Sequence, residues 1–253
     1  IMQPDNTYDE SFYETLNISS EISSEVYIDY LFKFIKPSSV IDLGCGYAAW
    51  LKACKKFGST SLTGVDGIWN DGKYVKELGF DFVSMDLDNL DDSIKKHDLA
   101  ISLEVAEHLK PKSSEIFIKN LTNVADLVLF SAAFTNQGGT NHINERNPSF
   151  WGQLFEENDF VAFDLFREKF WDDERVGFWY RQNCFLYCKK ASKSYEKLKA
   201  QGVREIKNLY FLDCVHPNLY LNKCGEGIGF AAHAKGIFPS FIRALKRVLT
   251  KKK

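Results

Sequence analysis

Apolar residues fall into two alternating rhythms along this chain. Short continuous apolar blocks read as strands buried on both faces. They are VIDL at Val40–Leu43, SLTGVD ending at Asp66, FDFVS just before Asp86, DLAISL at Asp98–Leu103 and DLVLFS at Asp126–Ser131. Between them the spacing turns helical. Trp50, Ala53, Cys54 and Phe57 stand at i, i+3, i+4 and i+7, with Gly58 ending the run, and another helix is predicted over roughly Ser113 to Asn123. Ahead of the first strand, Ile22, Val26, Tyr30 and Phe34 recur every four residues. That row predicts a helix capped by Ser19 or Ser20, running to about Ile35 with these side chains along one face. A helix is expected near Pro148 to Glu157, and FVAFDLF and NCFLYCKK read as sixth and seventh strands at an antiparallel edge.

Strands alternating with helices predict an α/β fold: a doubly wound, seven-stranded, mostly parallel, Rossmann-like sheet with a C-terminal helical appendage. Three regions are expected: a helical segment over 1–36 covering the cofactor site, a main domain over 37–190, and an extension over 191–253. In the extension a short helix is predicted near Tyr195 to Gln201. Pro239 is placed to start a last helix, with Phe241, Ile242, Leu245, Val248 and Leu249 on one face and Arg243, Lys246, Arg247 and Lys251 to Lys253 around it. Such a face needs a cover: the protein's own domain, a twin subunit, or an anionic membrane surface.

Composition narrows the class. The chain has 253 residues, 45% of them hydrophobic, with 21 Phe, enough for one well-filled α/β domain. The net charge of −2 argues against nucleic acid as a partner. No apolar run approaches the ~20 residues of a membrane span, and the polar, acidic start carries no secretory signal, so a cytoplasmic protein is expected. Six cysteines show neither CxxC nor zinc-ligand spacing, and no Asp-Asp-Asn cluster marks the ends of strands four and five, so no metal is expected.

Chemistry-bearing residues gather where the strands end, which is where doubly wound sheets bind ligands. Asp42 closes the first strand and is followed by Gly44, Cys45 and Gly46; Asp66 and Gly67 close the second; Asp86 and Leu87 follow the third; Glu104 follows the fourth. Glycines let backbone approach a ligand, and an acid ending strand two can accept from both ribose hydroxyls. These features alone leave the cofactor open, because GCGYAA also satisfies GxGxxA and Asp66 lies where a dinucleotide site wants an acid. Asp42 tilts the balance. A carboxylate before the glycine turn suits an ammonium and a sulfonium better than a pyrophosphate. A non-catalytic scaffold with this fold is a further reading, which the intact Asp42, Gly44, Gly46 and Asp66 set opposes.

VIDLGCGYAAWL, LTGVDG, VSMDLDN and HDLAISLEVAEHL resemble, in order and spacing, the four motifs of class I S-adenosylmethionine (SAM) methyltransferases. Ala48 stands where many members have a third glycine. The resemblance implies SAM as cofactor and S-adenosylhomocysteine (SAH) as product. It also implies that the loop after strand five faces the methyl acceptor. That loop, SAAFTNQGGTNHINERNPSFW, is polar and varied. His142 is its candidate general base, with Glu145 to orient the ring and the glycine pair before it to bend the chain. Gln137, Arg146, Trp151, Arg181 and His108 are candidates for the acceptor. Arginine suits phosphate or carboxylate oxygens, whereas His108, in a motif shared by enzymes with different substrates, has a generic or structural reading as well.

YDESFYETL, QGGTNHINE, WDDERVGFWYRQN and DCVHPNLY together resemble small methyltransferases encoded among bacterial capsule and surface-glycan genes, and among them the enzymes of O-methyl phosphoramidate decoration. This implies O-methylation of a glycan precursor or small phosphorylated acceptor; the apolar face of the C-terminal helix leaves packing on the protein's own domain, a homodimer or contact with the inner membrane face open.

Overall fold

The computed structural model describes residues 10–88 and 94–224. In chain order the elements are α1 (Glu10–Leu31), β1 (Ser39–Leu43), α2 (Ala49–Lys56), β2 (Ser61–Asp66), α3 (Lys73–Glu77), β3 (Asp81–Ser84), β4 (Leu99–Leu103), α4 (Ser114–Val124), β5 (Leu127–Ser131), α5 (Pro148–Glu156), β6 (Phe160–Phe163), α6 (Arg167–Phe170), α7 (Phe178–Asn183), β7 (Phe185–Lys189), α8 (Lys193–Ala200), β8 (Glu205–Ile206) and α9 (Pro217–Cys224). One sheet runs in the order β3-β2-β1-β4-β5-β7-β6-β8. The pairings from β3 to β5 are parallel, while β7 joins β5 and β6 antiparallel. The expected parallel sheet with an antiparallel edge is therefore present.

The sheet has eight strands rather than seven. The additional strand, Glu205–Ile206, pairs antiparallel with β6 and lies in what the sequence assigned to an extension. Two residues are too few to show an alternation of period two, so no pattern announces it. The chain divides after Cys214 into two compact units, and of the second only α9 is described. The helix expected from Pro239 lies outside the described residues. No described helix is long and apolar enough to cross a membrane.

The N-terminal helix corrects the sequence reading in two ways. It begins at Glu10, so Ser19 and Ser20 lie inside it and cap nothing. Its buried row is also shifted by one position: Ser23, Ser24, Tyr27, Ile28 and Leu31 are fully enclosed, whereas Ile22 is 45% exposed. The serines can go inside because their hydroxyls are satisfied. Ser24 Oγ donates to the carbonyls of Glu21 at 2.8 Å and Ala49 at 3.2 Å, and Ser23 Oγ accepts the Gly177 N–H at 3.1 Å. A buried hydroxyl with partners costs little, so a Ser can displace an Ile from the core. Tyr27 completes this layer. It stacks on Phe166 and Phe170, and its hydroxyl donates to the Tyr180 carbonyl at 3.0 Å.

β4 and β5 are buried at every position, as strands covered on both sides must be. Their neighbours β1 and β5 continue on either side of β4, and the strand order reverses between β1 and β4. The carboxyl ends of β1, β2 and β4 thus open on one edge at the switch point, the place where such sheets bind ligands.

Candidate active site

The first half of the site is built at the ends of β1 and β2. The chain leaves β1 in a turn whose N–H groups at Gly44 and Cys45 both donate to the Val65 carbonyl, at 2.8 and 3.1 Å. Gly44 has φ +86°, and a Cβ there would sit 2.4 Å from Val105 Cγ2, so both conformation and space require glycine. Ala48, buried before α2, also adopts the left-handed region at φ 57°. This is why glycine suits the position. Alanine keeps the shape at a cost of about 1 kcal/mol. Cys45 is buried with its thiol pushed up by burial, so it serves packing and is not a nucleophile.

Two acids here differ sharply. Asp66 is nearly saturated: one carboxylate oxygen accepts from Gly67 N at 2.7 Å, the other from Gly46 N at 3.0 Å and Asn70 Nδ2 at 2.9 Å. Those bonds tie the glycine turn to the end of β2. Ile68 and Trp69 stand exposed beside it. Asp42 is 2% exposed, and its Oδ2 has no hydrogen-bond partner. Burial, and then the charge of Asp66, push its carboxyl up to about 8.

Past the third strand the chain turns locally. Asp86 Oδ1 accepts the Asp88 N–H at 3.0 Å, forming a local turn, and the Leu87 side chain is buried in the core.

The second half of the site lies beyond β4 and β5. Glu104 follows β4 with φ 55°, a costly conformation for a side chain with a Cβ. Its N–H reaches the Ser131 carbonyl at 3.1 Å, and its carboxylate accepts from Gln137 Nε2 and Asn183 Nδ2, each at 3.3 Å. Asn183 also donates to Gln137 Oε1 at 2.9 Å. Burial raises the Glu104 carboxyl, and the bonds from Ser131, Asn183 and Gln137 offset part of that rise. Gln137 was legible in the sequence; Asn183 was not, though it ends the WDDERVGFWYRQN segment.

A short 3-10 turn at Ala106–His108 follows. The loop after β5 is fastened to it by Ile143 N and Asn144 N, which both donate to the Glu107 carbonyl at 2.9 Å. Buried Asn144 adds bonds to the Ala106 carbonyl and to Ser114 Oγ. This stitching brings His142 onto His108, ring centroids 4.8 Å apart and nearly perpendicular. The expected pairing of His142 and Glu145 is present, with Nδ1 2.9 Å from Oε1. The same oxygen accepts the Gly138 N–H at 2.7 Å. A Cβ on Gly139 would lie 2.2 Å from the His142 ring, so the glycine makes room for the imidazole. Burial, and then His142, lower the His108 imidazole.

The remaining candidates scatter. Arg146 is exposed, donates to Asn144 Oδ1 at 3.1 Å and lies over the Phe150 ring. Arg181 is buried and donates to the Trp171 carbonyl at 3.2 Å. Trp151, expected to meet the acceptor, is 1% exposed and packs against Phe130 in the core. A large apolar ring at the second turn of α5 faces inward for the same reason as its neighbours Leu154 and Phe155.

A glycine turn, an acid ending β2 and an unsatisfied acid in β1 are now in place at one edge of the sheet. A family model for the methyltransferase domain matches residues 21–163, more than half of the chain. The chain belongs to the methyltransferase family. Solved methyltransferases share the fold. Magnesium protoporphyrin IX methyltransferase (ChlM) from Synechocystis PCC 6803, solved with bound SAH, is 16% identical with a TM-score of 0.53, over 74% of this chain and 90% of that one. The methyltransferase domain of bacterial CtHen1-C is 18% identical with a TM-score of 0.52, over 68% of this chain and all of that domain. An O-methyltransferase family protein from Burkholderia thailandensis is 13% identical with a TM-score of 0.51, over 74% and 61%. No curated protein sequence matches. Membership removes the dinucleotide reading that GCGYAA had left open: this methyltransferase has the class I fold of SAM-dependent enzymes.

Proposed function

We propose that the chain is a SAM-dependent O-methyltransferase acting on a small phosphorylated acceptor or glycan precursor. The observation that carries the cofactor assignment is Asp42. A buried carboxylate oxygen without a partner is costly, and a cationic group of the ligand completes it. Gly44 keeps the turn open to that group, and Asp66, with one acceptor position still free of the three donors it holds, is placed for a ribose hydroxyl. SAM, when bound, supplies a methyl group on a positively charged sulfur and leaves as neutral SAH.

The acceptor half supports oxygen as the methylated atom. A hydroxyl becomes a good nucleophile as it loses its proton. His142 Nε2 is the group for that task, because Nδ1 is engaged by Glu145, which fixes the ring and its tautomer. Glu104, held by Gln137 and Asn183, adds a second acceptor for a substrate hydroxyl. The similarity of QGGTNHINE and WDDERVGFWYRQN to capsule-associated enzymes supplies the acceptor class. The test is transfer from labelled SAM to panels of nucleotide-linked sugars, sugar phosphates and phosphoramidates, with product NMR. A methyl on oxygen supports the assignment. Transfer confined to amine nitrogen contradicts it.

A further inference from the structure

Glu107 is the most anomalous residue in the described chain. It is fully enclosed, and neither carboxyl oxygen makes a well-formed hydrogen bond. Nearby backbone N–H groups of Glu107 and Ala133 offset only part of the cost of burying it. Proteins bury a carboxyl this way when it stays protonated, or when a cation meets it. Two imidazoles stand where a cation would be. Ligand atoms of Glu107, His108 and His142 all lie within 4.8 Å of one another.

We propose that Glu107, His108 and His142 hold a divalent first-row transition cation on the acceptor side of the site. Two imidazoles and one carboxylate are the donor set such ions take, and a hard ion like magnesium prefers oxygens alone. At metal–ligand bonds of ~2.1 Å, ligand atoms around one ion stand about 3–4 Å apart. Rotation of the exposed His108 side chain closes the remaining gap. The outer partners are also those of a metal site. A ligating histidine gives its other nitrogen to a carboxylate or a backbone carbonyl. Here His142 Nδ1 is bound to Glu145, and His108 has the Asn141 backbone. His142 thus keeps Nδ1 for Glu145 and offers Nε2 to the ion. Three protein ligands leave coordination positions open for oxygens of the acceptor, whose hydroxyl the ion acidifies. This deepens the proposed function and rests on it for the acceptor. On this account His142 Nε2 is a ligand of the ion and no longer the base, and the proton that the bound hydroxyl loses passes to Glu104 or to water.

The test is optical titration of the chelator-treated full-length protein with Co²⁺. Absorption in the visible is expected to saturate at about one equivalent per chain and to be displaced by Zn²⁺. Glu107→Gln and His142→Asn should each weaken binding at least tenfold, Glu145→Gln about tenfold, and Cys214→Ser should leave it unchanged. No cobalt absorption, or a signal that survives Glu107→Gln and His142→Asn but is lost in Cys214→Ser, overturns the proposal. SAH titrations on the same samples read the cofactor half separately. Absent cobalt binding with intact SAH binding is a failure of the metal site alone. Absent SAH binding with intact cobalt binding is a failure of the methyltransferase reading.

Discussion

Asp66, the last residue of β2, and Glu107, in the turn after β4, are both buried acids, and they are treated oppositely. Asp66 accepts three hydrogen bonds, two from backbone N–H groups within its own turn and the glycine turn. The Glu107 carboxyl makes no well-formed hydrogen bond. The first acid is part of a frame that is already built before a ligand arrives. The second waits for something. The same contrast separates the halves of the site. The cofactor half is held by bonds between the ends of two adjacent strands, from Gly44 to Gly46 onto Val65 and Asp66. The acceptor half is assembled from the turn at Ala106–His108 and a loop that arrives from beyond β5, joined through the Glu107 carbonyl. A preformed frame positions the ligand, and in each half one buried acid, Asp42 or Glu107, is left for a charge to complete.

Mutations should separate the two halves. His142→Ala has the largest expected effect: a loss of turnover on the order of 10²–10⁴-fold with cofactor affinity unchanged. Parallel rate and SAH-binding measurements check it, and an equal loss in both would merge the halves. Gly139→Ala is expected to cost about tenfold in turnover and nothing in cofactor affinity, because its Cβ would lie 2.2 Å from the His142 ring and displace it.

The mildest effect is one of stability. Folded Asp42 keeps its proton up to about pH 8, whereas in the unfolded chain it loses it near 3.8. Folding therefore takes up a proton between those values, and the stability this group contributes falls as pH rises from about 4 to about 8. Asp42→Asn should thus raise the melting temperature of the ligand-free protein near pH 8, at about 2–4 °C per kcal/mol. The gain should shrink toward pH 4 while SAH affinity drops. Melting curves across pH check the slope, and a gain that grows toward acid would reverse the assignment of the raised carboxyl.

The unequal legibility of the two halves has the same origin. Asp42, Gly44, Gly46 and Asp66 are readable because each sits at a fixed offset from an apolar strand, and strands announce themselves locally. His142 and Glu145 were readable as a pair because they are three residues apart with glycines before them. That Glu107, His108 and His142 converge was not, because two backbone bonds from distant residues bring them together. The face of α1 was misplaced for a different reason. Apolar spacing cannot tell that Ser23 and Ser24 find partners inside and so outrank Ile22. Trp151, a candidate for the acceptor, lies in the core, since an aromatic beside a polar loop has no sequence mark of its direction. The two-residue β8 left no period to find.

The central claim, that the edge around Gly44 and Asp66 is a SAM site, is tested most directly by calorimetric titration of wild type and Asp66→Ala with SAH. The account predicts micromolar binding to the wild type, weakened at least tenfold in the variant, as the loss of a partner for a ribose hydroxyl and for the glycine turn costs about 1–3 kcal/mol. Binding of NADH in place of SAH, or an SAH affinity unchanged by Asp66→Ala, would contradict it.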